Sequence, residues 1–282
     1  MKFELIEVEN QDHILLNGCL INNHQKRLLL FIPGMGDDFF ENVFTKFMMK
    51  ESASFGYDFL FTHNQGSFSI MHFPYVENNV ITRTVTRGSV YNRFDSCLSD
   101  LKAWFHYASA LYDEIVVIAH SLGCNKLIYY LSENVVPKIS KLIFLAPQDI
   151  SMLKHVPLHL EMLEEAQKNI EMGLKDKILS QKLLNRFYMS SETLIDFKEN
   201  ENLYNLPYME EHGDFHVLQA IKVPMCFIIG DRDATLEKSE LYMKKLASQV
   251  QCGSYFVISG ANHNFRQKEK ELTDVIFKYL EK

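Results

Sequence analysis

The first residues that can carry chemistry lie at positions 119–123, which read Ala-His-Ser-Leu-Gly. An apolar run at residues 114–119 precedes them, and a segment of helical period at residues 122–131 follows. A serine between small residues on a sharp strand-to-helix turn is typical of a nucleophile elbow, here with Ala119 in place of the first glycine. Such a turn raises the Ser121 hydroxyl above the sheet edge, where the helix dipole favours negative charge. The alternative is that Ser121 only caps the helix.

Two acids and a histidine follow later strands. Asp231 and Asp233 come after the apolar run at residues 225–229, and His263 comes after the run at residues 254–258. A carboxylate can orient an imidazole, and a loop histidine near neutral pH is suited to general-base catalysis. The order Ser, Asp, His is the one expected for hydrolases built on a nucleophile elbow. The residues alone leave open which of Asp231 and Asp233 orients the histidine.

A glycine-rich turn follows the apolar run at residues 27–32. Residues 34–36 read Gly-Met-Gly, and glycines allow a sharp turn and close approach of the backbone to a ligand. The backbone N–H groups of Met35 and Leu122 can then converge on a developing oxyanion, with a plain turn as the alternative. A dinucleotide site is excluded because Phe39 stands where the third glycine of that motif is required.

The elements that must position these residues alternate between strands and helices. Strands are predicted at residues 13–20, 27–32, 57–61, 114–119, 141–145, 225–229 and 254–258. Helices are predicted at residues 39–55, 94–112, 122–131, 236–250 and 267–280. This order predicts an α/β fold with a mostly parallel central sheet and helices on both faces. Ligands bind beyond the carboxyl ends of the strands in such sheets, where all the residues above lie.

A long connection interrupts the alternation at residues 62–94. It contains one acid and three arginines, Arg83, Arg87 and Arg93. Long connections in compact domains are often functional, and arginines can bind a carboxylate or a phosphate. The favoured interpretation is that these arginines face solvent or pair with acids of the segment described next.

The second interruption, residues 148–221, predicts an inserted helical cap on a core formed by residues 1–147 and 222–282. Residues 151–220 contain 12 acids against 7 lysines and arginines. The field of such an acidic cap is expected to repel anionic molecules near the cleft. The sequence therefore favours neutral substrates over strongly anionic ones.

Composition excludes several classes of protein. Of the 282 residues, 47% are hydrophobic and 23% are charged, which is typical of a globular chain. No uncharged apolar run reaches the roughly 18 residues of a membrane span, and the acidic N-terminus does not resemble a signal peptide. Five cysteines without CxxC spacing indicate free thiols in a reducing cytoplasm. The net charge of −7 argues against a nucleic-acid partner.

Histidines at helical spacing are the other candidates for a ligand site. His155 and His159, like His212 and His216, are four residues apart, as paired metal ligands on a helix can be. A proline and a glycine interrupt these two segments, and no HExxH motif or cysteine cluster accompanies them. Neither a metal site nor another cofactor is expected.

Taken together, these elements resemble the α/β-hydrolase superfamily over nearly the whole chain. The resemblance implies that Ser121 is the nucleophile, His263 the base and Asp233 the orienting acid, because the family acid usually lies three residues past the glycine that ends its strand. It also implies that the backbone N–H groups of Met35 and Leu122 form the oxyanion hole. The residues that fit the family's tight turns are Gly34, Gly36, Ala119 and Gly123.

More narrowly, the chain is similar to the poorly characterised DUF1749-like branch, which implies no established substrate. The similarity rests on residues 34–37 (GMGD), 87–94 (RGSVYNRF), 97 (C), 100–104 (DLKAW) and 120–123 (HSLG). The superfamily resemblance implies a serine hydrolase that cleaves a carboxylic ester, or else an amide or thioester, through an acyl-enzyme on Ser121; the cysteines place it in the cytoplasm. An acyltransferase with the same triad and a non-catalytic binding protein on this scaffold remain the alternatives.

Overall fold

Ten strands occur in the part of the chain that the structure describes. The structure is a computed structural model, and it describes residues 2–151, 158–233 and 238–281. The strands are β1 (Glu4–Glu9), β2 (Leu15–Ile21), β3 (Arg27–Ile32), β4 (Asp58–Thr62), β5 (Met71–Glu77), β6 (Val80–Arg87), β7 (Glu114–His120), β8 (Ile139–Leu145), β9 (Met225–Gly230) and β10 (Gly253–Ile258). Eight of them form one sheet in the order β1-β2-β4-β3-β7-β8-β9-β10, and β5 pairs separately with β6.

Six strands of this sheet run parallel to one another, namely β3, β4, β7, β8, β9 and β10. At one edge, β2 pairs antiparallel with both β4 and β1. Ile32 pairs with Ala119, so the carboxyl ends of β3 and β7 lie side by side. Successive strand residues point to opposite faces, and Leu30 packs into the core on one face while Phe31 packs into the other. Burial on both faces explains the unbroken apolar runs of the sequence.

Eight helices occur within the described ranges. They are α1 (Val43–Glu51), α2 (Ser96–Leu111), α3 (Leu122–Glu133), α4 (Leu158–Glu171), α5 (Ser191–Glu199), α6 (His216–Ala220), α7 (Ser239–Ser248) and α8 (Glu269–Leu280). Helices α1 and α8 cover one face of the sheet, and α2, α3 and α7 cover the other. The predicted α/β fold with a mostly parallel sheet and helices on both faces is thus confirmed.

Four of the five predicted helix starts precede the observed ones, by two residues at α2 and α8 and by more at α1 and α7. The helix expected from residue 39 begins at Val43, because the Asn42 side chain accepts a hydrogen bond from the Thr45 amide and caps α1. The helix expected from residue 236 is observed from Ser239, and residues 234–237 lie outside the described residues. None of the described helices has both the length and the apolar character needed to cross a bilayer.

Residues 62–94, which the sequence predicted as a long connection with no strand assigned, contain the β5–β6 hairpin. Asn78 and Asn79 form its turn with φ angles of 52° and 61°, a conformation that asparagine tolerates well. The prediction missed the hairpin because most of the β6 side chains are exposed, so that no apolar periodicity marks the strand. Phe73 is buried and attaches β5 to the core beside the main sheet.

The segment at residues 148–221 packs in two ways. Met162 of α4 and Leu194 of α5 share a hydrophobic cluster with Phe94 and Leu122, which lie at the starts of α2 and α3. Later side chains of the segment belong instead to the core on the face of the sheet that α2, α3 and α7 cover. Among them are Leu206, Phe215, Leu218 and Ile221. The first part of the segment therefore lies beside the sheet edge that carries Ser121. Its division from the core as a cap stays a prediction.

The packing of α2 gives a test of the fold. Trp104 is fully buried, and its indole N–H donates a hydrogen bond to the His63 carbonyl at 2.9 Å. Trp104→Ala is expected to lower the free energy of unfolding by about 3–5 kcal/mol, because it leaves a cavity in the core. Leu111→Ala, at a position of the same helix that is 52% exposed, is expected to cost about 0.5 kcal/mol or less. Urea unfolding followed by circular dichroism makes the comparison, and equal effects would contradict the packing.

Candidate active site

Ser121 occupies a strained turn between β7 and α3. Its φ and ψ angles are 54° and −126°, a combination that costs a non-glycine residue on the order of 1–3 kcal/mol. Two hydrogen bonds hold the turn: the Ser121 amide donates to the Leu145 carbonyl at 2.9 Å, and the Cys124 amide donates to the Ser121 carbonyl at 3.0 Å. The strained residue is thus fixed at the carboxyl end of the sheet.

The small residues around Ser121 are required by close contacts. A Cβ atom at Gly123 would lie 2.6 Å from the Ile32 carbonyl oxygen, which is closer than side chains approach in proteins. A Cβ atom at Gly34 would lie 2.9 Å from the Cβ of Ser121. Ala119 is fully buried in the pairing of β7 with β3 and β8. The elbow pattern that the sequence indicated is therefore present as a packed turn.

Ser121, His263 and Asp233 form one hydrogen-bonded chain. The Nε2 atom of His263 lies 3.0 Å from the Ser121 hydroxyl, and its Nδ1 atom lies 2.8 Å from a carboxylate oxygen of Asp233. An ionised carboxylate only accepts hydrogen bonds, so the proton of a neutral His263 is on Nδ1 and Nε2 is free to accept from the hydroxyl. This is the arrangement that activates a serine for attack on a carbonyl.

The two candidate acids have different partners. Asp231 accepts hydrogen bonds from the Ser259 hydroxyl at 3.0 Å and from the Gly260 amide at 2.6 Å. It therefore ties the loop after β10 to the loop after β9, while Asp233 reaches the imidazole of His263. The structure brings together the three residues that the family resemblance singled out. Their catalytic roles stay predictions.

Burial sets the protonation of His263. Removal from water lowers the pKa of this imidazole from its ordinary value of 6.5, and the hydrogen bond that it donates to Asp233 opposes that effect. The nearby His120 and Arg186 lower the pKa further when they are charged. His263 is consequently neutral at pH 7 and able to accept a proton.

His120 supports this arrangement, although the sequence analysis used it only as part of the elbow spacing. Its Nε2–H donates to the His263 carbonyl at 3.1 Å, and its ring packs against Phe44. Its Nδ1 atom lies 3.5 Å from a carboxylate oxygen of Asp37 and makes no hydrogen bond within the described residues. His120 thus joins the elbow to the loop that carries His263.

The proposed oxyanion amides lie on the two turns that meet at Ser121. Leu122 is the first residue of α3, where backbone N–H groups lack a partner within the helix. The Gly36 amide donates to the Gly66 carbonyl at 2.9 Å, which fixes the turn that contains Met35. Within the described chain, neither the Met35 nor the Leu122 amide donates a hydrogen bond. Both are available to a ligand, and their role as an oxyanion hole stays a prediction.

A cavity of about 210 Å³ opens beside Ser121, and His263 and Met35 also line it. This volume is below the roughly 300–1,000 Å³ of typical ligand pockets, which suits a small group. The charged residues of its wall are Asp37, Glu41, Arg186 and Arg266. None of these four was predicted as a lining residue from the sequence, and the two arginines lie in no motif.

The arginines of residues 62–94 are occupied elsewhere. Arg83 stacks on the Tyr75 ring at 4.0 Å, and Arg87 donates to the Gln65 side chain at 3.0 Å. Arg93 forms an ion pair with Asp196 at 3.4 Å, which confirms the predicted pairing with an acid of the later segment for this residue. None of the three is among the residues that line the Ser121 cavity.

The histidine pairs do not assemble a metal site in the described parts of the chain. His216 bonds to Asp214 at 2.7 Å, while His155 and the side chain of His159 lie outside the described residues. Across residues 2–151, 158–233 and 238–281, no group of three or more His, Cys, Asp or Glu side chains is arranged to hold a metal ion.

Comparison with known proteins gives one family and many structures. The model of a family described as a protein of unknown function, DUF1749, matches residues 17–281. No curated protein matches the sequence.

Three solved structures illustrate the fold similarity. Est1E from Butyrivibrio proteoclasticus has a TM-score of 0.63 and 15% identity over 98% of this chain and 97% of its own. The esterase Pf2001 from Pyrococcus furiosus has a TM-score of 0.59 and 16% identity over 99% and 92%. The mouse alpha/beta hydrolase domain-containing protein 10 has a TM-score of 0.65 and 16% identity over 99% and 97%.

The titration of His263 tests the site geometry without any substrate. By nuclear magnetic resonance, its imidazole is expected to have a pKa below 6.5, because burial disfavours the charged form. Asp233→Asn is expected to lower the pKa further, since the carboxylate stabilises the imidazolium. Asp231→Asn is the control and should shift it less, as that acid bonds to Ser259 and Gly260. A higher pKa in Asp233→Asn would contradict the geometry.

Proposed function

The chain belongs to the DUF1749 family and has the α/β-hydrolase fold, and from its site we propose that it is a serine hydrolase acting on a carboxylic ester. One observation carries this proposal: the hydrogen-bonded chain from Ser121 through His263 to Asp233, of which Ser121 and His263 line the cavity. A non-catalytic binding protein has no need of a strained serine aligned with a base.

The first half of the proposed reaction forms an acyl-enzyme. Nε2 of His263 takes the hydroxyl proton as the Ser121 oxygen attacks the ester carbonyl. The N–H groups of Met35 and Leu122 donate hydrogen bonds to the oxyanion of the tetrahedral intermediate. His263 then gives its proton to the leaving alcohol, and the acyl group stays on Ser121.

The second half restores the enzyme. His263 deprotonates a water molecule, which attacks the acyl carbonyl, and the same two amides again stabilise the oxyanion. The Ser121 oxygen leaves with the proton that His263 returns. Throughout, the Asp233 carboxylate keeps the imidazole in the tautomer with its proton on Nδ1 and stabilises the transient imidazolium.

Structural neighbours support an ester as the first substrate class to test. Two of the solved structures above are of proteins described as an esterase or named Est1E, and one structure of Est1E contains ferulic acid, a carboxylic acid. At 16% identity or less these likenesses concern the fold. The choice of an ester over an amide or thioester is therefore part of the proposal.

Residues 148–221 act as a cap in this proposal. Arg186 and Phe187 of the segment line the cavity beside Ser121. A segment that closes over the serine limits the size of the acyl group and shields the reaction from water. The remaining residues, 1–147 and 222–282, then form the catalytic core.

The nucleophile can be tested with a matched pair of serines. Ser121→Ala is expected to lower kcat/KM for p-nitrophenyl hexanoate on the order of 10⁴-fold or more and to abolish labelling by a fluorophosphonate probe. Ser69, which lines the same cavity, is the control, and Ser69→Ala should keep both turnover and labelling. Circular dichroism checks the fold. Wild-type protein that turns over no ester and takes no label would instead favour a binding protein.

The acid can be tested in the same assay. Asp233→Asn is expected to lower kcat on the order of 10⁴-fold, because the amide favours the wrong tautomer of His263. Asp231→Asn removes only a tie between two loops and is expected to cost about tenfold or less. If Asp231→Asn proves the more damaging change, Asp233 is not the acid of the triad.

A further inference from the structure

Two arginines from distant parts of the chain line the Ser121 cavity. Arg186 follows a tight turn in which Leu184 and Asn185 have φ angles of 52° and 55°, and Leu183 pairs with Phe187 across it. The guanidinium of Arg186 lies 4.9 Å from the centre of the Phe187 ring, and both residues line the cavity. The turn thus holds a cation beside the serine.

Arg266 reaches the cavity from the loop that carries His263. The amides of Asn264 and Arg266 both donate to the side-chain oxygen of Asn262, at 3.2 and 3.1 Å. Phe265 between them is fully buried against Phe44. The loop is therefore anchored on both sides of Arg266, whose own side chain is exposed at the cavity.

Neither guanidinium forms an ion pair with a carboxylate in the described part of the chain, in contrast to Arg93. An arginine keeps its charge at any physiological pH and presents a planar fork of donors that matches a carboxylate. Hydrogen bonds between such charged groups are roughly twice as strong as neutral ones. Arg186 and Arg266 therefore have donors that a bound anion can occupy.

The acids of the cavity wall limit how much negative charge it accepts. Asp37 accepts hydrogen bonds from the Asn42 side chain at 2.8 Å and from the Asp38 amide at 3.0 Å. Its carboxylate is therefore already stabilised by donors of the protein. Glu41 is exposed and faces the same cavity. With two cations and two acids around it, the site favours a monoanion such as a carboxylate over a phosphate dianion.

One charge of the cavity wall acts on the reacting base. The positive charge of Arg186 lowers the pKa of His263, to which burial contributes most. From residues 148–221, only Arg186 and Phe187 among the described residues line the cavity. The net acidity of that segment, which favoured neutral substrates in the sequence, does not extend to the cavity wall.

We propose that the substrate is an ester that also carries a carboxylate, which Arg186 and Arg266 bind while Ser121 attacks the ester carbonyl. The hydrolytic part of this statement rests on the proposed function. Recognition of the carboxylate does not, because it depends on the two guanidiniums and can be measured as binding.

Two esters that differ only at the end of the acyl chain test the proposal. p-Nitrophenyl hexanoate ends in a methyl group, and mono-p-nitrophenyl adipate ends in a carboxylate. The wild-type protein is expected to have the higher kcat/KM with the adipate ester, and Arg186→Gln and Arg266→Gln should each reduce the adipate-to-hexanoate ratio about tenfold. High salt should also reduce it, since exposed charges are screened.

Two control variants separate a local from a general charge effect. Arg83→Gln removes the same charge from the exposed β5–β6 hairpin and should leave the ratio unchanged. Glu41→Gln removes a negative charge from the cavity wall and should raise the ratio. A wild-type preference for the hexanoate ester, or a ratio that neither arginine substitution lowers, overturns the proposal.

Binding to Ser121→Ala keeps this result independent of catalysis. In this variant the adipate ester is expected to bind about tenfold more tightly than the hexanoate ester, and Arg186→Gln in the same background should remove the difference. If wild-type protein hydrolyses neither ester but this difference is found, the proposed function fails and the carboxylate site stands. If both esters are hydrolysed and bound alike, the carboxylate site fails and the proposed function stands.

Discussion

The close crossing of the chain at Ser121 is the constraint on which the site depends. Ser121 is held with φ at 54° where α3 begins against the end of β3. The chain segments approach so closely there that no side chain fits at positions 34 and 123, which are both glycine. This contact places the turn that contains Met35 and the start of α3, each with an unbonded amide, next to the serine. His263 and Asp233 reach the same point because the parallel strands β9 and β10 end at the same edge of the sheet.

The features that local packing determines were predictable from the sequence. The bounds of β3 agree with the prediction, because burial on both faces gives an unbroken apolar run that stops at Pro33. The elbow was visible since its tight contacts require small residues at positions 119 and 123. The choice between Asp231 and Asp233 needed the family resemblance, since both side chains reach the loop after β10 and only one of them meets His263 there.

Features that depend on long-range packing were missed. The β5–β6 hairpin has exposed side chains on most of β6, so it lacks the apolar alternation that marks a strand. Arg186 and Arg266 carry no motif, and only the folded chain brings them to the cavity of Ser121. A charge summed over residues 151–220 does not say which of these side chains lie at the cavity. Arg186 lines it, whereas Asp196 pairs with Arg93, and neither of these two residues lines the cavity.

The most direct measurement of the central claim is the mass of the protein during turnover. Wild-type protein mixed with excess p-nitrophenyl hexanoate, quenched with acid and digested should contain a hexanoyl group on the peptide that includes Ser121. The acyl group is expected there because Nε2 of His263 lies 3.0 Å from the Ser121 hydroxyl oxygen and can take its proton. An acyl group on another residue of the wild-type protein would contradict the claim. Ester turnover by Ser121→Ala at the wild-type rate would contradict it as well.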